Sequence, residues 1–473
     1  MLIHYLVNFV YVVLVLFFIY NKDLFSQELK LVVTLEPFNS EAYLFFVDEI
    51  SLLEDTGKTF FLSSSRKKIE FQKGPVILAD SKVPPANYKE LVIKVWENYK
   101  EKTYRFPLED GKKDSLLWLP LYLRKTKSGE LDLLYQRPSS FVKENVLFIP
   151  MRDSELVGVY DRVNYRLMDL YYIPSGVDEL ARSYKFDYLY GVSQKKNTLY
   201  IIDLVKYKSF SIELKRGVFP VSVASTLLNS GKELIFIANF RSNTITVVDG
   251  ESLGEVKTLR TGQGPVKVWV DPPPEWIKVK NQEVYNYLMH YRNLYCLNLY
   301  SGSMTVFKLD AQNGEILSQR EINLGSKPIS LFVDYESGLI YIINQSANYI
   351  NVGFIISLIE SPLSVFRIET GEFGVVDGVY HPRQDQVILL KGAPGELIIG
   401  KVPLTSTQYF NQFLFLTKLS LKGEPSFLAL DPDLSKLYIL DSKNNQLLIY
   451  DFYTKKFLTE LPLFKNPGKI VIW

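Results

Sequence analysis

A seven-bladed β-propeller preceded by a small β-sandwich is the fold this sequence predicts, on three observations. From Asn145 onward, units of four short strands recur with a period in the forties. A Gly-x-x-Pro turn recurs just before one strand of most units. The last seven residues match only that one strand, which the first unit lacks.

The clearest unit runs Leu234 to Asp271, with strands at Ile235–Ala238, Thr244–Val248, Glu255–Leu259 and Val266–Val270. Tyr438–Asp451 (YILDSKNNQLLIYD) and Leu189–Asp203 align with its first hairpin, and Phe148–Asp161 does so more loosely. An aspartate ends the third strand at Asp161, Asp203, Asp249, Asp310 and Asp451. The last gap holds two degenerate units, around Glu369 and Leu404, at a period of about 47 residues. The insertion Pro272–Arg292 lengthens one interval. The turn signature appears as Gly217-x-x-Pro220, Gly262-x-x-Pro265, Gly325-x-x-Pro328, Gly423-x-Pro425 and Asn466-Pro467. Seven units follow: 145–183, 184–231, 232–292, 293–338, 339–386, 387–435 and 436–466. Pro467–Trp473 is then expected to close the ring against the first unit, covering its free edge.

Residues 27–140 read as a sandwich of short strands. They include Glu28–Leu35, Ala42–Val47, Thr59–Leu62, Leu91–Trp96 and Leu116–Leu123. Turns are expected at Asp55–Lys58, Pro84–Tyr88 and Asp110-Gly111, and the boundary to the propeller (141–473) at Pro138–Ser140. The first 26 residues form a signal peptide or N-terminal anchor. Tyr5–Tyr20 is uncharged, and Leu24-Phe25-Ser26 supplies a small-residue cleavage site. The expected location is therefore periplasmic, cell-surface or secreted, with membrane contact only through an uncleaved anchor.

Composition narrows the function. Lys and Arg number 54 against 52 Asp and Glu, which provides no basic field for nucleic acid. One cysteine and three histidines exclude a disulfide framework and a thiolate zinc site, and leave little for metal or proton chemistry. No metal and no cofactor is expected.

The residues Phe236-Ile237-Ala238-Asn239, Ser242-Asn243-Thr244, Val247-Val248-Asp249 and Gly262-x-x-Pro265 resemble the YVTN family of propeller repeats. Tyr341-Ile342-Ile343-Asn344 and Tyr438-Ile439-Leu440-Asp441 are variants of its strand tetrad. The resemblance covers about the last 330 residues, and implies an exported or surface-layer type of protein. Similar blades build lactonases and haem-binding propellers. The N-terminal strands resemble immunoglobulin- or transthyretin-like sandwiches.

The aspartate column reads as turn capping rather than a metal ring. In the Gly-x-x-Pro turns, Gly is expected to supply positive φ and Pro to fix entry into the inner strand. His381-Pro382 fills the slot of Asp431-Pro432, His290 falls in the insertion, and Cys296 sits in a core strand. No Gly-x-Ser-x-Gly elbow is present. A haem site would have only His290 or His381 as an imidazole ligand. Ser346–Ser361 reads as an apolar insertion, expected to be a lid over the channel mouth, with a partner-docking or membrane-facing patch as the alternative.

The loops after each second strand and the connections between blades share one face. That face is expected to carry the binding residues Arg152, Lys195, Phe240, Arg241, Tyr300, Gln345, Lys391 and Lys443. The function this predicts is non-catalytic binding or scaffolding, with a protein or glycan partner. The alternative is a lactonase-like hydrolase acting on a small lactone or ester in the central funnel.

Overall fold

A computed structural model describes residues 29–37, 44–70, 75–84, 88–97, 100–108, 112–113, 116–125, 131–135, 145–277, 281–361, 365–403 and 413–473. Residues 1–26, read above as a targeting segment, the tip of the Pro84–Tyr88 turn, the Asp110-Gly111 turn and the region around Leu404 lie outside them. The chain divides into two compact units, Met1–Ser139 and Ser140–Trp473. It is all-β apart from short helices, and the second unit is a propeller.

In the first unit two sheets share one core. One sheet is ordered Leu131–Tyr135, Leu116–Lys125, Leu29–Pro37, Val76–Val83, with Leu29–Pro37 running parallel to Leu116–Lys125. The other is ordered Thr59–Ser63, Leu44–Glu54, Tyr88–Glu97, Lys100–Pro107. Alternate residues face inward, as the two-residue period of a strand requires: Leu31, Val33 and Leu35 from one sheet meet Leu91, Ile93 and Val95 from the other.

The second unit contains, among the described residues, seven four-stranded antiparallel sheets. We number these blades 1 to 7 in chain order and count strands outward from the axis. The inner strands of blades 2 to 7 are Glu179–Arg182, Pro220–Leu227, Pro265–Val270, Lys327–Asp334, Val375–His381 and Phe427–Asp431. The two faces of each blade pack on different neighbours. In the second strand of blade 3, Ile235 and Ile237 pack toward blade 2, against Tyr190 and Val192. Phe236 and Ala238, one step out of phase, pack toward blade 4, against Val268 and Cys296. Both faces being covered, these strands read as continuous β-branched and aromatic runs rather than alternating ones.

Blade 1 is assembled from both ends of the unit. Its inner strand, Val471–Ile472, pairs antiparallel with Val146–Met151, Leu147 opposite Ile472 and Phe148 opposite Val471. The Gly468 amide donates to the Pro150 carbonyl at 2.8 Å. The Trp473 ring meets Phe148 edge-on at 6.0 Å.

The aspartates that end the third strands cap turns. Asp249 Oδ1 accepts from the Glu251 and Ser252 amides, both at 2.9 Å, and Asp161, Asp203, Asp310 and Asp451 make equivalent bonds. Burial opposes ionisation of Asp249, but the Ser252 amide, the Lys232 ammonium and the Glu251 amide hold its pKa down at about 2.

Two expectations are corrected. Ser346–Ser361 is neither an insertion nor a lid: Tyr349–Phe354 is the third strand of blade 5, and Ile350, Val352, Ile355 and Leu358 are core residues. The register slipped because Phe354 stands where other blades have the capping aspartate. Glu369, taken for that position, ends the fourth strand, Val365–Glu369. Of the turn-signature glycines, Gly325 (φ 73°) and Gly423 (φ 72°) take the expected positive φ, and two others act differently. Gly217 and Gly262 do not have positive φ. They are needed for space, since a Cβ would sit 2.3 Å from Asn239 and 2.4 Å from Ser301. The left-handed residues of these turns lie two positions on, at Phe219 (φ 64°) and Gly264 (φ 66°).

Removing Pro467–Trp473 strips blade 1 of its inner strand and exposes the edge of Val146–Met151 to pairing with other chains. A chain ending at Asn466 is expected to aggregate or to lose its cooperative thermal transition. A melting curve matching that of the parent contradicts this.

Candidate binding face and axial channel

The propeller's two ends are built from different turns. Hairpins joining second to third strands share one end with the connections between blades: the Arg241 amide donates to the Val218 carbonyl, and the Tyr300 amide to the Gln263 carbonyl at 3.0 Å. All eight sequence-predicted positions lie in or beside those hairpins. They differ in surroundings. Phe240, Arg241 and Tyr300 come together, whereas the remaining cations are held by acids. Lys391 pairs with Glu372 and Glu396 at 3.3 Å, Lys443 with Glu424 at 2.6 Å, and Arg152 with Asp178 at 2.5 Å. Lys195 stands 3.9 Å from Asp153. Gln345 is exposed at the end of its strand.

The cluster spans blades 3 and 4. Phe240 meets Phe219 at 6.1 Å and Tyr300 at 5.3 Å, and the Arg241 guanidinium sits 4.5 Å over the Phe219 ring. Tyr300 is 65% exposed. Its ring lies flat against Gly264, where any Cβ would come within 2.7 Å. Fixed aromatic rings beside a guanidinium form a rigid amphipathic surface of the kind that anchors interfaces.

Phe219 and Phe240 also line the mouth of an axial cavity of about 390 Å3. Its floor is a ring of side chains that the sequence reading missed. The residue two positions beyond the turn proline lines the cavity in four blades, as Lys267, Ser330, Phe427 and Lys469. Asp377 and Glu179 occupy the same level in blades 6 and 2. The signal was present in sequence, as a polar residue two positions after Pro265, Pro328 and Pro467.

These axial groups satisfy one another. Lys267 is ion-paired with Glu179. Asp377 accepts from the Ser330 hydroxyl at 2.7 Å and the Leu428 amide at 3.0 Å, with the Lys469 ammonium 3.6 Å away. Burial pulls the Lys267 pKa well below the usual lysine value, the Lys469 charge adds to this, and Asp377 opposes it.

The two histidines among the described residues lie elsewhere. His381 is fully buried against Phe452, its ring centroid 4.4 Å away, and burial lowers its pKa. His290 ends the helix Gln282–His290 on the insertion. Cys296 is buried in the second strand of blade 4. Among the described residues, no group of three or more His, Cys, Asp or Glu is arranged to hold a metal ion.

No family model matches the chain, and no curated protein does. The YVTN likeness therefore rests on the strand tetrads themselves. Solved structures do match, and they define the class as β-propeller-like. A functionally unknown protein from Desulfotomaculum acetoxidans superposes with a TM-score of 0.54 at 11% identity, covering 69% of this chain and 98% of its own. A putative 6-phosphogluconolactonase from Bacteroides fragilis gives 0.51 at 14% identity, covering 71% and 99%. A protein from Lactobacillus plantarum gives 0.51 at 15%, covering 70% and 99%. At such identities the likeness is one of fold.

Glu179→Gln leaves the buried Lys267 ammonium without its counter-charge. It is expected to destabilise the propeller by about 3–5 kcal/mol, with stability largely restored in the double variant with Lys267→Met. Denaturant titration of the two variants measures this. A single variant as stable as the parent contradicts the pairing.

Proposed function

We propose that this chain is an exported, non-catalytic binding protein whose hairpin face recognises a glycan or protein partner at the cell surface or in the periplasm. The observation that carries this reading is the contrast within that face. The aromatic and guanidinium groups of Phe240, Arg241 and Tyr300 are held rigidly at the rim. The ionisable groups on the channel floor beneath are engaged with one another. A general acid or base needs an ionisable group free to take or give a proton to substrate, whereas a recognition surface needs preorganised anchors. Export is supported by the uncharged run Tyr5–Tyr20 followed by Leu24-Phe25-Ser26. The two-sheet N-terminal unit fits a spacer or docking module.

A second reading, hydrolysis of a small lactone or ester, has one observation in its favour: Lys267, Lys469 and Asp377 converge on one funnel floor.

Replacing Arg241 and Tyr300 together by Ala is expected to weaken partner binding by roughly 2 kcal/mol or more, with the melting temperature near the parent's. Arrayed cell-surface glycans and envelope proteins serve as probes. Undiminished binding by the double variant contradicts the assignment. So does turnover across a lactone panel that is lost in Asp377→Asn, which instead supports the hydrolase.

A further inference from the structure

The opposite end of the axis holds a second cavity, of about 340 Å3. It begins below the Lys267, Glu179 and Lys469 level and is walled by the outgoing halves of the inner strands. Ala181, Trp269, Val471 and Ile472, all partly exposed, give it apolar sides. Its cations outnumber its acids: Arg182, Lys267 and Lys469 stand against Glu179, which is already committed to Lys267.

Arg182 is the distinctive group. Its guanidinium lies 4.5 Å over the Trp276 ring, 4.9 Å over Tyr184 and 5.9 Å from Trp473. Tyr184 and Trp276 are themselves packed edge to face at 5.4 Å. Among the described residues no carboxylate pairs with Arg182. The guanidinium also hydrogen-bonds the Tyr184 side chain, and its remaining N–H groups, unpaired with any described acid, suit contact with a carboxylate.

The box is held in place by a separate network. The Tyr184 amide and the Ser183 hydroxyl both donate to the Glu233 carboxylate at 2.7 Å, within a buried environment. On the far wall the Trp269 indole donates to the Tyr335 hydroxyl at 3.2 Å, which in turn donates to Asp271 at 3.2 Å. Both walls are therefore fixed before any ligand arrives. Apolar sides with a single convergent cation are the composition of a small-molecule site.

We propose that this second cavity binds a small monocarboxylate with an apolar, ring-sized body, its carboxylate on Arg182 and its body against Trp269, Val471 and Ile472. The site is independent of the hairpin face, lies at the other end of the propeller, and needs no chemistry from the protein.

Benzoate is the probe, and benzamide its neutral counterpart of the same shape. Quenching of tryptophan fluorescence on titration is expected to give saturable benzoate binding with a dissociation constant of about 1 mM or tighter. Benzamide is expected to bind about tenfold more weakly or worse, and Arg182→Gln to lower benzoate affinity by a similar factor. Arg241→Ala, at the other end of the axis, is expected to change nothing. Because Arg182→Gln alters a stacked residue, the parent protein supplies an independent readout. Methyl-labelled protein is expected to show intermolecular nuclear Overhauser effects from the benzoate ring to Val471 and Ile472. Absence of saturable binding overturns the proposal. Equal affinity for benzamide, or ring contacts to Val221 and Val266 instead, does the same.

Discussion

The constraint on which the propeller depends is that a four-stranded sheet has two edges, and an inner edge at the axis cannot be left open. In blades 2 to 7 the chain supplies the inner strand in passing from one blade to the next. In blade 1 it must come from the other end of the unit, and Val471–Ile472 lying on Leu147 and Phe148 is that strand. Only a short length of ladder is involved, so its side-chain contacts matter. Trp473 packs on Phe148, Ile470 is buried, and the Pro467–Gly468 turn bonds back to Pro150. Between blades 7 and 1, the Arg162 guanidinium meets the fully buried Asp431 carboxylate at 3.1 Å, and the Tyr438 hydroxyl donates to the Arg162 carbonyl. Blade 7 runs directly into the inner strand of blade 1, so these contacts replace the covalent hairpin that joins inner and second strands within every other blade.

The axial ring follows from that geometry. Inner strands from separate blades converge, and one residue of each must face the others across the channel. Apolar side chains at every such position would plug it. Here the level is mostly charged or hydroxylic, Lys469 and Glu179 on one side, Lys267, Ser330 and Asp377 on the other, with Phe427 the exception. The ring divides the channel into two cavities of different character. The one on the hairpin side has an aromatic and cationic rim, and the other has apolar walls around one stacked guanidinium. Lys469 belongs to the closing segment, so closure and channel lining are one structural event.

Much of the architecture was legible in the sequence where the repeat kept its chemistry. Blade 3 was read almost strand for strand, because Asp249 caps its turn and Pro265 marks the next inner strand. Blade 5 was misread for the same reason in reverse. Phe354 replaces the capping aspartate, so Tyr349–Phe354 looked like an apolar insertion, and its burial between blades could not be seen from composition. The hairpin positions were legible as a face, but their electrostatics were not. Lys443, Arg152 and, through Glu372, Lys391 are neutralised by acids 19 to 26 residues away that leave no local pattern, while Glu396 is local to Lys391. The axial column was written plainly two residues after Pro265, Pro328 and Pro467, yet a single polar residue in a short strand draws no attention until the strands are seen to converge. Arg182 carried no signal at all, because its partners Trp276 and Trp473 come from an insertion and from the closing segment.

Native-state hydrogen exchange at the blade 1 seam tests the closed ring most directly. The Gly468 and Trp473 amides donate to Pro150 and Val146, which lie more than three hundred residues away in sequence. If the seam is part of the cooperative fold, these amides exchange only with global unfolding, as slowly as those of Ile235 and Phe236 in the core of blade 3. Exchange at the rate of a fraying terminus, with blade 3 still protected, would contradict the account.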